Sequence, residues 1–340
     1  MTDVDLRLSV NPDHVKRPAP PVPGSVSEQA RRMLATPLGA DPMSYPDPED
    51  IEGWVAFVAA IDNMLRPHYE SLLPPSDSYT LSREDIGDVV NFVIKPTHIH
   101  DEDAPIFIEI HGGALCLGGG DAAWMASAAA AIGRDGVTWA PDYRMPPVHP
   151  FPAALEDLLV VYRAALEAVG PQRVVVSGLS AGGNLAAALL IRAKDEGLPM
   201  PAALVLLTPE VDLTESGDTF VTNDGIDNVL SSLMPINVMY AAGEDLSHPY
   251  ISPLFADVTG FPPTLLQSGT RDLFLSNTVR MHRNLLHAGV TAELHVFEAM
   301  PHGGFTGAAP EDAELRAEVR RFEAVQLAQA AIDSEMTLAE

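Results

Sequence analysis

Short runs of apolar residues alternate with longer amphipathic segments from residue 89 to the end of the chain. Short apolar runs predict buried strands, and apolar residues that recur every three or four positions predict helices. The predicted strands are residues 89–94, 106–110, 137–140, 174–176, 204–207, 264–267 and 292–297. The predicted helices are residues 153–169, 183–196, 276–288 and 311–331. This alternation is typical of the α/β class, in which helices cover both faces of a mostly parallel sheet.

Two segments depart from this alternation. Residues 1–75 contain a proline-rich stretch followed by two predicted helices, at 25–34 and 50–65, and no predicted strand. Residues 209–263 are rich in turn-forming residues and hold one apolar patch at 229–240. We expect the first segment to pack over the rest of the protein and the second to be an insertion over the carboxyl edge of the sheet.

Composition narrows the class of protein. Hydrophobic residues make up 46% of the chain, which is ample for a large core, but no apolar run approaches the ~18 residues that a membrane span needs. The chain carries 20 basic and 47 acidic residues, a net charge of −27, and such an acidic surface repels nucleic acid. The polar N-terminus shows no secretory signal, and Cys116 is the only cysteine in the sequence. We therefore expect a cytoplasmic protein without an intrachain disulfide.

The segment 173–183, with the sequence RVVVSGLSAGG, carries a specific chemical signal. A predicted buried strand, a turn with Ser180 between two glycines, and a predicted helix follow one another directly. This G-x-S-x-G arrangement is a nucleophile elbow, which holds a serine hydroxyl at the carboxyl edge of a parallel sheet beside the first N–H groups of a helix. We therefore predict that Ser180 is a nucleophile.

A serine hydroxyl is a poor nucleophile at neutral pH and needs an oriented base. His302 lies in the loop MPHGGF after the last predicted strand, where two glycines let the backbone bring the imidazole close. Asp272 lies in the loop after the preceding strand, and its carboxylate would orient the imidazole and stabilise the imidazolium. The chain order Ser180, Asp272, His302, with each residue just past a strand, predicts a catalytic triad. Asp245 and Asp257 stay open as alternatives for the acid.

Acyl transfer also needs N–H groups that stabilise the negative oxygen of the tetrahedral intermediate. The loop HGGA at 111–114 follows the predicted strand 106–110. Gly112 and Gly113 can turn their amides inward with no side chain in the way, and Ala181 supplies an amide from the elbow. Each such donor contributes roughly 3–4 kcal/mol. We predict that these three residues form an oxyanion hole.

The motifs resemble those of the hormone-sensitive-lipase-like family of α/β-hydrolases, the microbial esterases with an HGG oxyanion motif. The resemblance spans about residues 85–325 and includes PDYR at 141–144, HPFPAALED at 149–157 and PYISPL at 249–254. It implies an α/β-hydrolase fold, with a mostly parallel central sheet flanked by helices and a helical cap. Within the family, the C-terminal half is similar to monoterpene ε-lactone hydrolases.

The resemblance also implies roles and boundaries. The cap would correspond to residues 1–80 and to an insertion at about 210–250, and residues 81–340 would form the catalytic domain. The family's nucleophile, acid, base and oxyanion donors carry over to Ser180, Asp272, His302, Gly112, Gly113 and Ala181.

The chain departs from the family pattern at two positions near the elbow and the oxyanion loop. Many members carry aspartate before the serine, where this chain has Leu179, and a third glycine after HGG, where it has Ala114. We expect the apolar side chain of Leu179 to make the pocket more hydrophobic and the Ala114 methyl group to narrow its acyl side. From their proximity to the motifs, the residues expected to line an apolar substrate pocket are Leu115, Leu179, Val211, Leu273 and Phe305.

We predict a serine carboxylesterase that hydrolyses short- to medium-chain carboxylic esters or lactones through an acyl-enzyme, with no metal and no organic cofactor. An amide or carbamate hydrolase with the same triad stays open as an alternative. A non-catalytic receptor resembling the plant gibberellin receptor, in which the triad histidine is replaced, is disfavoured by His302. We expect a small-molecule substrate, no nucleic-acid partner and no membrane span, and an edge strand ending at Phe297 would allow a homodimer.

Overall fold

A computed structural model describes residues 20–35, 45–47, 49–101, 103–307 and 309–339. The strands are β1 (Tyr79–Ile86), β2 (Val89–Pro96), β3 (Ile106–Ile110), β4 (Val137–Asp142), β5 (Val174–Leu179), β6 (Ala203–Leu207), β7 (Thr264–Gly269) and β8 (Ala292–Phe297). Across these ranges they form one eight-stranded sheet in the order β1-β2-β4-β3-β5-β6-β7-β8. β2 is antiparallel to both of its neighbours, and the remaining strands run parallel from β4 to β8.

The helices lie on both faces of the sheet and at its carboxyl edge. They are α1 (Glu28–Ala35), α2 (Ile51–Ser71), α3 (Asp121–Ala131), α4 (Ala153–Val169), α5 (Ala181–Asp195), α6 (Thr219–Thr222), α7 (Met234–Ala241), α8 (Leu275–His287) and α9 (Pro310–Ala339). No helix within the described part of the chain is long and apolar enough to cross a membrane.

Alternate residues of the inner strands enter two separate cores. In β3, Ile108 packs into the larger core with α4, α5 and α8, whereas its neighbour Phe107 faces the other side and packs with Phe322 of α9. Successive side chains of a strand point to opposite faces, so a strand covered on both faces is mostly apolar. This is why the inner strands are mainly apolar runs, and the prediction of a mostly parallel sheet flanked by helices is confirmed.

Four elements were not predicted from the sequence: the two short helices of the insertion, α6 and α7, and the two elements β1 and α3. β1 has the sequence YTLSREDI, and its residues are exposed or half-buried because it lies at the edge of the sheet beside β2 alone. α3 has the sequence DAAWMASAAAA, in which nearly every residue is apolar, so the sequence shows no amphipathic spacing. Its small alanine side chains pack against β2 and β4. Neither β1 nor α3 carries the hydrophobic periodicity from which helices and strands are predicted.

The N-terminal segment and the insertion after β6 meet above the carboxyl edge of the sheet. Trp54 of α2 is fully buried and packs with Leu233 and Ile236, at the start of α7, and with Leu117 from the loop after β3. The described parts of the predicted cap therefore lie together over the strand ends. Its limits at residues 1–80 and about 210–250 stay a prediction, and residues 1–19, 36–44 and 48 lie outside the described residues.

Candidate active site

Ser180 occupies a strained position between β5 and α5. Its backbone has a φ of +59°, in the left-handed region that residues with a side chain rarely adopt. A Cβ atom on Gly182 would lie 2.0 Å from the carbonyl oxygen of Ile110, and one on Gly178 would lie 2.2 Å from the carbonyl oxygen of Gly182. Only glycine fits at these two positions, so the flanking glycines allow the strand and the helix to approach closely enough to form the turn.

Three predicted side chains meet beside this turn. Nε2 of His302 lies 2.8 Å from Oγ of Ser180, and Nδ1 of His302 lies 3.1 Å from Oδ1 of Asp272. An ionised carboxylate only accepts hydrogen bonds, so Nδ1 carries the proton and Nε2 is free to accept the serine hydroxyl. Ser180 is 8% exposed, His302 7% and Asp272 0%, which keeps the chain of contacts away from bulk solvent.

The loop after β7 fixes the orientation of the Asp272 carboxylate. Its Oδ2 accepts a hydrogen bond from Oγ of Ser268 at 2.6 Å, and its Oδ1 accepts one from the N–H of Phe274 at 2.9 Å. The ring of Phe274 also lies edge-on to the His302 imidazole, with ring centroids 4.8 Å apart. The acid and the ring beside the base are therefore held by the same loop.

The predicted oxyanion donors lie on two sides of Ser180. Gly113 has a φ of +124°, and a Cβ atom there would lie 2.2 Å from the carbonyl oxygen of Leu117, so the turn requires glycine. Within the described chain, the N–H groups of Gly112 and Gly113 donate to no recorded acceptor. Ala181 is the first residue of α5, and the first N–H groups of a helix have no acceptor within it. The three amides are therefore available to an oxyanion.

The loop between β3 and α3 carries Gly112 and Gly113 and is called the oxyanion loop below. Its first residue, His111, packs against Tyr143 in a buried pair of rings. His111 stacks on Tyr143 with ring centroids 4.3 Å apart, and the Tyr143 hydroxyl donates to the carbonyl oxygen of His111 at 2.7 Å. Burial lowers the pKa of His111, so the ring is neutral, and its Nδ1 lies 2.8 Å from the carbonyl oxygen of Gly112. Only a protonated Nδ1 can make that contact favourable, and the donated hydrogen bond fixes the direction of the Gly112 peptide.

The N-terminal segment also forms a hydrogen bond with the oxyanion loop. Asp62 of α2 accepts a hydrogen bond from the N–H of Gly118 at 2.9 Å, and burial raises its pKa. Asp62 was not identified from the sequence, because an acid on an amphipathic helix is more often a solvated residue. Cys116, also in this loop, is buried, and burial raises the pKa of its thiol to about 12, as expected for an inert apolar residue.

The carboxylate of Asp227, in the insertion, joins three loops of the site. Its Oδ1 accepts hydrogen bonds from the N–H groups of Val229 at 2.9 Å and Leu230 at 3.3 Å. Its Oδ2 accepts from the N–H of Leu273 at 2.8 Å and from the N–H of His302 at 3.3 Å. Sequence reasoning missed this residue, because nothing local distinguishes it from the other acids of a turn-rich segment.

The structure does not bring the five predicted pocket residues into one cluster. Leu115 and Val211 belong to the large core, and Phe305 packs near α1 with residues such as Val26 and Met300. Leu179 is half-buried at the end of β5. Leu273 alone among them lies in the apolar cluster under the cap, whose other buried members are Trp54, Cys116, Leu117, Leu233, Ile236 and Phe274. A role in substrate binding stays a prediction for each of the five.

The described residues contain no group of three or more histidine, cysteine or acidic side chains placed to hold a metal ion.

The family model and the relative that match this chain both describe hydrolases. A family model described as the α/β hydrolase fold matches residues 107–306. An acetyl-hydrolase from Streptomyces hygroscopicus is 33% identical over 233 residues, which are 68% of this chain and 75% of the relative.

Two solved structures match most of the chain. The crystal structure of an esterase named E25 superposes with a TM-score of 0.78 at 33% identity and covers 90% of this chain and 96% of its own. The crystal structure of an esterase from the bacterial hormone-sensitive lipase family has a TM-score of 0.75 at 28% identity, with 88% and 99% covered. The strand, turn and helix around Ser180 lie within residues 107–306, the part of the chain that the family model matches.

Proposed function

The chain belongs to the hormone-sensitive-lipase-like esterases of the α/β-hydrolase fold and is a carboxylic ester hydrolase, and we propose that it cleaves short- to medium-chain esters or lactones through an acyl-enzyme on Ser180. The observation that carries this proposal is the continuous contact from Ser180 Oγ to His302 Nε2, at 2.8 Å, and from His302 Nδ1 to Asp272, at 3.1 Å. This is the arrangement of a nucleophile, its base and the group that orients the base.

In the first half of the proposed reaction, Ser180 Oγ attacks the ester carbonyl carbon while its proton passes to His302 Nε2. The carbonyl oxygen becomes an oxyanion, which the N–H groups of Gly112, Gly113 and Ala181 stabilise. The intermediate then collapses, the bond to the leaving alcohol breaks, and His302 returns the proton to that alcohol. The product of this half is an acyl-enzyme and a free alcohol.

In the second half, a water molecule takes the place of the alcohol. His302 removes its proton as the water attacks the acyl-enzyme, and the same oxyanion donors stabilise the second intermediate. Collapse breaks the bond between the acyl carbon and Ser180 Oγ, His302 returns its proton to Oγ, and the carboxylic acid leaves. A lactone presents the same carbonyl group, and its alcohol stays tethered to the product, so no different residues are required.

The first test is hydrolysis of p-nitrophenyl esters with two to twelve acyl carbons and of an ε-lactone. We expect turnover of the shorter esters by the wild type and a decrease in kcat of about 10⁶ in Ser180→Ala, because the nucleophile and base act as a unit. The acyl-length profile and the lactone rate report the substrate range. Turnover that persists in Ser180→Ala would contradict the assigned nucleophile. A folded wild type inert towards every ester would contradict the proposed substrates.

A further inference from the structure

The C-terminal half of α9 carries an exposed apolar stripe. Val325, Ile332 and Met336 are 56%, 51% and 58% exposed. They belong to a set of exposed residues that is apolar except for Glu335. The set, called the α9 stripe below, is Ala324, Val325, Ala328, Ala331, Ile332, Glu335 and Met336. Single exposed apolar residues are common on protein surfaces, but a contiguous set of them marks an interaction surface.

The spacing of these residues places them on one side of the helix. Steps of three and four residues return to the same side, because an α-helix has 3.6 residues per turn. The opposite side of α9 faces the protein, where Val319 and Phe322 pack into the core and Glu323 pairs with Arg134. A helix on the surface of a monomer normally carries polar residues on its outer side. The α9 stripe instead has the pattern of a second buried side.

The α9 stripe lies away from the edge of the sheet that carries Ser180. α9 begins shortly after the loop that carries His302, at the carboxyl edge. By Glu323 the helix has already reached Arg134, in the loop before β4, which is at the amino edge. The part of α9 that follows therefore lies at the amino edge or beyond it, and a partner bound there leaves the carboxyl edge uncovered.

The α9 stripe is complementary to a second copy of itself in the antiparallel direction. When two such helices cross at Ala328, residues equally far before and after Ala328 face each other. Ile332 then faces the partner's Ala324, and Val325 faces the partner's Ala331. A large side chain thus meets a small one at each of these positions, which allows the two surfaces to interdigitate. Such self-complementarity is what a twofold-symmetric interface requires.

The charges at the two ends of the stripe fit the same arrangement. Arg321 lies seven residues before Ala328, on the same side of the helix, and Glu335 lies seven residues after it, and both side chains are exposed. In an antiparallel pair, the guanidinium of each Arg321 faces the partner's Glu335, so opposite charges meet at both ends. In a parallel pair each residue faces the same residue of the other copy, and like charges meet instead.

We propose that the α9 stripe is a homodimer interface, in which the C-terminal halves of two α9 helices pack antiparallel with the twofold axis at Ala328. One pair of helices of this length buries less than the interface of about 1,600 Å² that is standard for stable complexes, so the dimer dissociates on dilution. This interface is distinct from the edge of β8. It goes beyond the proposed ester hydrolysis, because it involves no residue of the candidate active site.

Sedimentation velocity of the full chain, from about 1 to 200 µM protein, measures the oligomeric state over the range in which a small interface forms. We expect a monomer at the lowest concentration and a dimer at the highest. A protein that stays monomeric throughout would overturn the proposal, and the stripe would then be bare or covered by another segment of the same chain.

Three substitutions at exposed apolar positions locate the interface. Ile332→Glu places a charge inside the α9 stripe and should abolish the dimer. Val160→Glu, on α4, is the matched control and should leave the dimer unchanged. Val296→Glu, on β8, tests the competing edge strand and should also have no effect. Circular dichroism checks that each variant is folded. A dimer that survives in Ile332→Glu, or one that dissociates only in Val296→Glu, would overturn the proposal.

Charge reversal tests the direction of pairing. Arg321→Glu and Glu335→Arg each place like charges opposite one another at both ends of the interface, and each should raise the Kd of the dimer by about tenfold. The double variant restores opposite charges across the interface and should return the Kd to near the wild-type value. A double variant as weakly associated as the single ones would overturn the antiparallel arrangement.

An introduced cysteine tests the position of the twofold axis. Cys116 is the only cysteine in the sequence and is buried, so it does not compete with an exposed thiol. Ala328→Cys should form a disulfide between two chains under mild oxidation, because the two copies of this residue meet at the axis. Ala313→Cys is exposed on the same helix, but its two copies lie at opposite ends of the helix pair, so it should not cross-link. Equal cross-linking of the two variants would contradict the proposed register.

Discussion

At the scale of single residues, the Asp227 carboxylate connects the insertion to both the acid loop and the base loop. The N–H groups of Leu273 and His302 donate to the same carboxylate oxygen, at 2.8 and 3.3 Å. Leu273 directly follows Asp272 in the chain, so this oxygen joins the loops that carry the predicted acid and the predicted base. We therefore expect Asp227 to affect the proposed reaction through the positions of these loops.

Replacing Asp227 by alanine should lower kcat by roughly tenfold to a hundredfold with little change in KM, because both loops lose a charge-assisted hydrogen bond of about 1.5–3 kcal/mol. Steady-state kinetics on a p-nitrophenyl ester measures both constants. Glu244→Ala, at an exposed acid of the same insertion, is the control. An unchanged kcat in a folded Asp227→Ala protein would show that the loops are positioned without this residue.

The pH profile distinguishes this role from general destabilisation. Burial raises the pKa of Asp227 to about 6. Below that pH its carboxyl group is protonated, and its hydrogen bonds to the N–H groups of Leu273 and His302 lose their charge assistance, whereas the side chain of Asp227→Asn is neutral at every pH. The kcat/KM of the wild type should therefore approach that of Asp227→Asn as the pH falls below about 6. A ratio of the two values that does not change with pH would contradict a role for the ionised carboxylate.

Glu210 is a fully buried acid in the loop after β6, and it makes a second prediction at this scale, for stability. The pKa of Glu210 is raised to about 8, whereas an unfolded glutamate releases its proton near 4.5. The folded state holds this proton more tightly, so its contribution to stability is fully present below pH 4.5 and is lost as the pH rises to about 8. The total effect is on the order of 4–5 kcal/mol.

Urea unfolding of the wild type and of Glu210→Gln at several pH values between 5 and 8 measures this effect. The variant cannot ionise, so its free energy of unfolding should gain on that of the wild type by a few kcal/mol across this range. A difference between the two proteins that does not change with pH would show that Glu210 ionises normally in the folded state.

At the scale of elements, α2 supports the oxyanion loop by packing and by one hydrogen bond. Trp54 packs against Leu117, and Asp62 accepts from the N–H of Gly118. The loop after β3 has no regular structure before α3, so its shape depends on such contacts from outside. The predicted cap is in this way connected to the catalytic machinery as well as placed above it.

Asp62→Ala should reduce kcat several-fold, since the loss of a hydrogen bond worth about 1.5–3 kcal/mol loosens the loop that carries Gly112 and Gly113. Stopped-flow acylation rates with p-nitrophenyl acetate would show whether the effect lies in oxyanion stabilisation. Glu52→Ala, at an exposed acid in the first turn of α2, should leave the rate unchanged. A wild-type acylation rate in Asp62→Ala would contradict the coupling.

At the scale of the whole molecule, the net charge of −27 opposes the compact state by repulsion among surface acids. Salt screens this repulsion, with a Debye length that falls from about 10 Å at 0.1 M to about 3 Å at 1 M. The buried ion pairs of Arg134 with Glu109 and Glu323, at 2.8 and 2.6 Å, are shielded from solvent and respond much less.

Thermal unfolding should therefore shift upward by about 2–4 °C between 0.05 and 0.5 M NaCl, the change that about 1 kcal/mol produces in a large domain. Differential scanning calorimetry at fixed pH measures the shift. A Tm that falls with salt would show that favourable surface ion pairs outweigh the repulsion.

The sheet order leaves β8 at an edge, as the sequence suggested for the strand that ends at Phe297. A homodimer through this edge stays a prediction, as do the cytoplasmic location and the similarity of the C-terminal half to lactone hydrolases.

The sequence alone predicted the inner strands, the fold class and the similarity to esterases. Inner strands are mostly apolar on both faces, and the elbow needs glycine on both sides of Ser180, so local residue patterns contain both features. Comparison with known proteins confirms the α/β-hydrolase fold and the carboxylic ester hydrolase class.

Only the tertiary structure distinguished three further acids from the rest of the acidic residues. Asp62, Asp227 and Glu210 lie in a helix, a turn and a loop where sequence patterns make them ordinary surface acids. They differ from surface acids in their burial and in their contacts with residues far away in the chain, such as Gly118, His302 and Asn237. β1 and α3 were missed for a related reason, because their stability comes from neighbouring elements rather than from their own periodicity. Desolvation and long-range contacts exist only once the chain is folded, and for that reason no local pattern contains them.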